Sequence, residues 1–268
     1  MEKLRVALLF GGRSSEHSIS CATAGGVLRA IDRDRYDVIP IGITRDGAFV
    51  LEADDPERFA LDPAHLPEVH DNGTRVRWPA EAGSRELAVT DASGERSLGV
   101  VDVVFPILHG RFGEDGTVQG LLELLGLPYV GNGVLASAVG MDKHATKTAL
   151  EGAGIEVAPW VTLTEAQVAA DPELWERRTR SLGLPVFVKP ARAGSSVGVT
   201  KVSDWSELDA ALDVAFAEDR TVLVESAVVG REIEIAVLEG REPGEVRVSV
   251  AGEVIVTGRD FYDFEAKY

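Results

Sequence analysis

The chain has 268 residues, a net charge of −17, 45% hydrophobic and 26% charged residues, and a single cysteine. That length leaves room for about two domains with buried cores. The acidic balance argues against nucleic acid or an anionic membrane as partner, because phosphate backbones need basic surface; a single nucleotide needs only a few local lysines. Cys21 excludes an internal disulfide, fits a reducing compartment and reads as a core residue on a helix. No apolar run is long enough to span a bilayer, and the opening MEKLRVALLFGG lacks a signal peptide's long apolar region and cleavage site. The expected location is the cytoplasm.

Residues 4–10 form an apolar run broken only by Arg5, as in a parallel strand covered on both faces. A Gly-Gly-Arg-Ser-Ser-Glu-His turn leads into a helical pattern through Ile31, with Ser14 or Ser15 as expected N-cap. The spacing is not a dinucleotide fingerprint, but ligands of open α/β sheets bind at such first turns. Glu16 by itself reads as a first-turn acid complementing the helix dipole. Residues 36–43 are a second strand, and Asp46-Gly47 turns the chain into residues 48–51. Residues 52–99 are polar, with strand-like runs near 75–78 and 86–90, and are expected to be a peripheral insertion. Residues 101–108 are the next buried strand. A glycine-punctuated loop, HGRFGEDG, follows it and opens a helix over 117–125, with Thr117 as expected cap. His109 at the strand end is a ligand-facing donor or a core histidine bonded to backbone, and its position by itself favours the core reading.

Residues 128–130 read as a short strand, and a domain boundary is expected near 131–140. Helices over 134–139 and 142–151, a strand over 157–162 and helices over 165–170 and 172–181 follow. The segment LPVFVKPARAGSSVG then gives a short buried strand, Lys189 at its end, and a small-residue loop through Ser195, Ser196 and Val197. Such a loop lets N–H groups and hydroxyls approach an anion closely, and a strand-end lysine beside it suits phosphate. A hairpin turn with a surface lysine explains these residues equally well. A strand over 199–202, a helix over 205–217 and a strand over 221–225 complete a small α+β module. Strands over 233–238, 245–250 and 253–256 start a third set, before a loop over 257–268.

The segments LFGGRSSEHSIS, FPILHGRFGEDGTVQGLLELLGLPYVGNGVLASAVGMDKHATK, VFVKPARAGSSVGV, VESAVVGREIEIAVL and GRDFYDFEAKY, in this order, resemble the D-alanine–D-alanine ligase family of the ATP-grasp superfamily. The resemblance covers nearly the whole chain outside the polar insertion. It implies an α/β (α+β) fold of three lobes: an N-terminal open parallel α/β domain over 1–133, a central lid module over 134–228, and the start of a C-terminal antiparallel-sheet domain over 229–268. ATP would lie between the second and third. Carried over position by position, Lys143 and Lys189 would neutralise the nucleotide's phosphates. Ser195, Ser196 and Val197 would cover those phosphates. Glu225 and Glu232 would meet the adenine side and the ribose hydroxyls. Glu16 would hold the ammonium of the first D-alanine, and His109 would hydrogen-bond the same substrate. Lys267 would reach the transferred phosphate, and Tyr268 would tie the lid to Ser195 and Glu16. Phe264 stands where the family often has tyrosine. A homodimer is implied as well.

Family members continue beyond this lid. The Asp, Glu and Asn that bind Mg²⁺ and an intermediate-stabilising Arg have no counterpart in these residues, so the resemblance is C-terminally incomplete and no metal ligand is expected within the chain. A polypeptide ending at Tyr268 is expected to fold its first two lobes without ligating. Three other readings remain. A D-alanine–D-lactate ligase is disfavoured by Tyr268, where those enzymes typically carry a basic residue. Another ATP-grasp enzyme, such as a carboxylase, is disfavoured by the Glu16 segment and the loop from His109 to Glu114. The third is a nucleotide-binding protein without catalysis.

Overall fold

A computed structural model describes residues 2–62, 64–240, 242 and 244–256. Strands β1 (Leu4–Gly11) and β2 (Tyr36–Ile43) run parallel in a register of eight pairs, with helix α1 (His17–Ala30) crossing between them. Strand β3 (Phe49–Leu51) pairs antiparallel to β2. The polar region holds β4 (Arg75–Arg77), β5 (Glu86–Asp91) and β6 (Gly94–Val100), a separate antiparallel sheet. Strand β7 (Val103–Pro106) returns beside β1 and completes the sheet order β3-β2-β1-β7. Tyr129 adds only an isolated bridge to Val104, not the strand expected over 128–130.

Alternation along β1 divides its side chains between two cores. Leu8 and Phe10 pack with Cys21, Ala24 and Leu28 of α1 and with Phe59 and Val69. Ala7 and Leu9 face the other way, with Val76, Leu87 and the buried Val118 and Leu122 of helix α2 (Thr117–Leu125). The region 52–99 is therefore not peripheral. Its three-stranded sheet helps close the second face of the parallel sheet, which would otherwise leave Leu9 and Ile41 open to water. Buried His17 fastens the same region: its Nδ1 donates to the Gly12 carbonyl at 2.6 Å, and its Nε2 accepts from the Val69 N–H at 3.0 Å. Burial pushes its pKa down, which suits a neutral ring in these roles.

Helices α3 (Val134–Met141) and α4 (Lys143–Gly152) lead into the second module. Asp142 caps α4 by accepting the Ala145 N–H at 3.0 Å. Strand β8 (Trp160–Thr164), helices α5 (Glu165–Ala170) and α6 (Pro172–Arg180), strands β9 (Val186–Pro190) and β10 (Thr200–Val202), helix α7 (Leu208–Glu218) and strand β11 (Thr221–Ser226) follow. The strands form an antiparallel sheet of order β10-β9-β11-β8. One face packs Val186, Val188, Val222 and Val224 against α7. The alternate residues, Phe187 and Lys189 on β9 with Leu223 and Glu225 on β11, lie on the opposite face.

Four short strands end the described chain: β12 (Glu232–Glu234), β13 (Val237–Glu239), β14 (Val246–Val248) and β15 (Gly252–Val254). β12 pairs with β15 and β13 with β14. The single strand expected over 233–238 is broken at Ala236, whose N–H goes to the Ser249 hydroxyl at 3.0 Å. Among the described residues, no helix is long and apolar enough to cross a membrane.

Candidate functional site: a carboxylate and a lysine cluster joined by one loop

Three loops meet at the C-terminal edge of the parallel sheet. Ser20, buried on α1, locks two of them, accepting the Gly11 N–H at 2.9 Å and donating to the Ile107 carbonyl at 2.7 Å. Ser14 is not the helix cap. Its hydroxyl accepts the Glu16 N–H at 3.2 Å and donates to the His109 carbonyl at 2.7 Å. Glu16 occupies the N-cap position but makes no capping bond. Its carboxylate instead accepts the Ser195 hydroxyl, from a loop 179 residues away. The dipole-complementing role expected for Glu16 is thus replaced by a tertiary one.

The carboxylate sits among glycines because nothing larger fits. A Cβ on Gly110 would lie 2.5 Å from Glu16 Oε2, and one on Gly194 would lie 2.8 Å from the same oxygen. Three hydrogen bonds hold the loop of Gly110: Gly110 N–H donates to Glu114 at 2.7 Å, Phe112 N–H to Asp115 at 2.9 Å, and Gln119 Nε2 to the Gly113 carbonyl at 2.9 Å. Helix α2 begins after Gly116, whose φ of 89° makes it the cap in place of Thr117. Among the described residues, the His109 ring is bonded neither to backbone nor to Glu16. Its Nε2 lies 3.2 Å from the Thr23 hydroxyl, which itself donates to the Ile19 carbonyl. His109 lines a cavity of about 200 Å³ beside a second of about 140 Å³ that Glu16, Gly110 and Ala193 border. A larger cavity of about 540 Å³ lies among α5, α6 and α7, on the face of the central sheet away from these residues.

The loop after β9 joins this pocket to the lysines. Arg192 anchors its start through a bidentate pair with Asp219, at 2.9 and 2.6 Å. Burial alone would raise the Asp219 pKa, but the guanidinium and two backbone N–H groups outweigh it and hold the pKa low. Ser195 and Ser196 have φ of 48° and 59°, a left-handed pair that non-glycine residues seldom adopt. Val197 N–H closes the turn onto the Gly194 carbonyl at 2.9 Å. Lys143, at the start of α4, donates through Nζ to the Ala193 carbonyl at 2.7 Å. Its pKa is pushed down to about 8, first by burial and next by the neighbouring charge of Lys189. The two lysines expected to act together are therefore close enough to repel.

Lys189 donates to Glu225 Oε1 at 2.6 Å, and Lys147 holds Glu225 Oε2 at the same distance. Lys147 was not legible in the sequence. Its position one turn after Lys143 is the only signal that could have found it, since residues i and i+4 share a helix face. The Arg192–Asp219 anchor likewise had no sequence signal. Glu232 is exposed on β12 and shares no hydrogen bond with these groups among the described residues. Lys267, Tyr268 and Phe264 lie outside the described residues. Also among those described, no group of three or more His, Cys, Asp or Glu could hold a metal ion.

The buried Glu16 carboxylate and the lysine cluster are thus bonded to one small-residue loop, and comparison with known proteins gives the family. Residues 5–132 match the profile described as D-ala D-ala ligase N-terminus, and residues 149–268 that described as D-ala D-ala ligase C-terminus. The chain is 53% identical over 269 residues to the D-alanine–D-alanine ligase of Arthrobacter sp. (strain FB24), spanning 99% of the chain and 70% of that relative. It is 50% identical over 275 residues to that of Mycobacterium sp. (strain KMS), spanning 100% of the chain and 73% of the relative. Among solved structures, VanG D-Ala:D-Ser ligase from Enterococcus faecalis aligns with a TM-score of 0.77 at 35% identity, covering 100% of the chain and 74% of its own. The D-alanine–D-alanine ligase from Coxiella burnetii aligns with a TM-score of 0.77 at 37% identity, covering 94% and 71%. Matched by the family's profiles at both ends, the chain belongs to the D-alanine–D-alanine ligase family.

Proposed function

We infer that this protein is an ATP-dependent D-alanine–D-alanine ligase, supplying the dipeptide for peptidoglycan precursors. One observation carries the reading. The loop from Ala191 to Ser195 touches the Glu16 carboxylate through Ser195 and the Lys143 ammonium through Ala193, which supports an amino-acid site and a phosphate site that share this element. The lobes are taken as 1–133, 134–228 and 229–268.

In the first step a carboxylate oxygen of one D-alanine attacks the γ-phosphorus of ATP. The bond to the bridging oxygen breaks, giving an acyl phosphate and ADP. In the second, the neutral amine of another D-alanine attacks the acyl carbon, phosphate leaves with the bonding pair, and the new amide loses a proton. The chain's own residues position and stabilise charge. Glu16 accepts from the ammonium of the first D-alanine, and His109 hydrogen-bonds that substrate. Lys143 and Lys189 offset phosphate charge beneath Ser195, Ser196 and Val197. Glu225 faces the base and Glu232 the ribose. Lys267 meets the transferred phosphate, and Tyr268 links the lid to Ser195 and Glu16.

The test is product analysis with D-alanine labelled by oxygen-18 in its carboxylate, with D-lactate and D-serine competing. D-Ala–D-Ala as main product, with label in the released phosphate, is the expected result. Predominant ester product, or unlabelled phosphate, would refute the reading.

A further inference from the structure

Glu225 lies between two lysines that hold it unequally. Lys189 reaches Oε1 at 2.6 Å, and among the described residues this is its one hydrogen bond. Lys147 reaches Oε2 at 2.6 Å, donates as well to the Ala158 carbonyl at 2.8 Å, and stands 5.1 Å from the centre of the Trp160 ring. An ammonium has three donors, so two bonds and a π-face leave Lys147 no direction in which to gain by moving. Lys189 has donors to spare. All three side chains are largely buried: Lys147 is 13% exposed, Glu225 15% and Lys189 19%.

These contacts constrain any ligand that attracts Lys189. Lys143 and Lys147 lie one above the other on α4. The first reaches the Ala193 carbonyl in the phosphate loop, and the second reaches Glu225 on the sheet face. A phosphate beside Lys143 draws the loosely tied Lys189 away from Oε1. That oxygen is then a mostly buried acceptor without a partner, a costly state unless the ligand supplies an N–H or O–H donor. Lys147 keeps the other oxygen fixed throughout, so the vacated one faces a constant direction.

We propose that Lys147 is a positioning residue for nucleotide choice: it holds Glu225 in place while Lys189 transfers to phosphate, so that the freed carboxylate oxygen selects a base bearing an amino donor. The proposal rests on the reading that Glu225 faces the base. Without Lys147, Lys189 is the sole cation on Glu225. It must serve either the carboxylate or the phosphate, and the carboxylate loses its fixed direction.

The experiment compares affinities for ATP and inosine triphosphate, which carries a carbonyl in place of the amino group, in the unaltered protein, Lys147→Met, Lys147→Arg and Glu225→Ala. The unaltered protein should prefer ATP by roughly tenfold or more, the scale of one charge-assisted hydrogen bond. In Lys147→Met the ratio should fall to near one, and Lys147→Arg should restore most of it. Lys147→Gln, which keeps a donor for the Ala158 carbonyl, replaces the methionine variant if that one does not fold. Equal weakening of both nucleotides with the ratio preserved would assign Lys147 a purely structural role and overturn the proposal. A ratio lost in Glu225→Ala but kept in Lys147→Met overturns the proposal alone. A ratio kept in Glu225→Ala overturns the placement of Glu225 at the base, and the proposal with it.

Discussion

Raising the pH from 7 to 9 should weaken ATP binding about tenfold while leaving adenosine unaffected, because the binding form of Lys143 is its ammonium. Burial and the charge of Lys189 lower the Lys143 pKa from 10.5 to about 8 in the folded protein. If only the protonated form accepts phosphate, the apparent dissociation constant scales as one plus ten to the power of pH minus pKa, a factor of about 1.1 at pH 7 and about 11 at pH 9. The same shift has a signature without ligand. Between about 8 and 10.5 the unfolded lysine binds more protons than the folded one, so stability rises with pH across that window. Isothermal titration at pH 7, 8 and 9 and fixed ionic strength measures the effect, with adenosine as the phosphate-free control. Lys143→Met should bind ATP weakly at every pH and lose the inflection near 8. A flat ATP profile, an equal loss for adenosine, or an inflection that survives in Lys143→Met would refute the assignment.

Two further outcomes follow from contacts at the ends of the same loop. Arg192→Ala should cost about 3 kcal/mol, near the low end for breaking a buried pair, since Asp219 is 1% exposed but the guanidinium is 33% exposed and two N–H groups remain. Thermal unfolding measures it. The gap from the unaltered protein should be full above the ordinary aspartate value of 3.8 and shrink as pH falls through the lowered folded value. Gly194→Ala places a Cβ 2.8 Å from Glu16 Oε2, so the carboxylate must move. D-alanine affinity should then fall roughly 10- to 100-fold, the scale of a charged hydrogen bond, and ATP affinity by much less. Equal losses for both ligands in calorimetric titration would contradict that placement.

Strands β1 and β2 were legible because burial on both faces writes continuous apolar runs into the sequence. Strand β6, Gly-Glu-Arg-Ser-Leu-Gly-Val, was not. Its residues are mostly exposed, and pairing with β5 holds it extended. The insertion looked peripheral because Val76 stands between two arginines and Leu87 opens only a three-residue apolar run, and only the fold shows them closing a core. Lys189 could be found because it ends an apolar strand beside a small-residue loop, and Lys143 and Glu225 because the family resemblance carries over to them. Lys147 could not. Helix α4 reads as Lys-His-Ala-Thr-Lys-Thr-Ala-Leu-Glu-Gly, a solvated surface, and the groups that bury its second lysine, Ala158, Trp160 and Glu225, come from later in the chain. Glu16 was visible as an acid at a helix start, but its turn toward Ser195 depends on two glycines from separate loops.

The placement of the nucleotide phosphates at Lys143 and Lys189 is tested most directly by calorimetric titration of ATP and of adenosine into the unaltered protein and Lys189→Ala. The variant should lose roughly 10- to 100-fold in ATP affinity, the scale of a charged hydrogen bond, with no such loss for adenosine. Equal losses for ATP and adenosine would contradict the phosphate site.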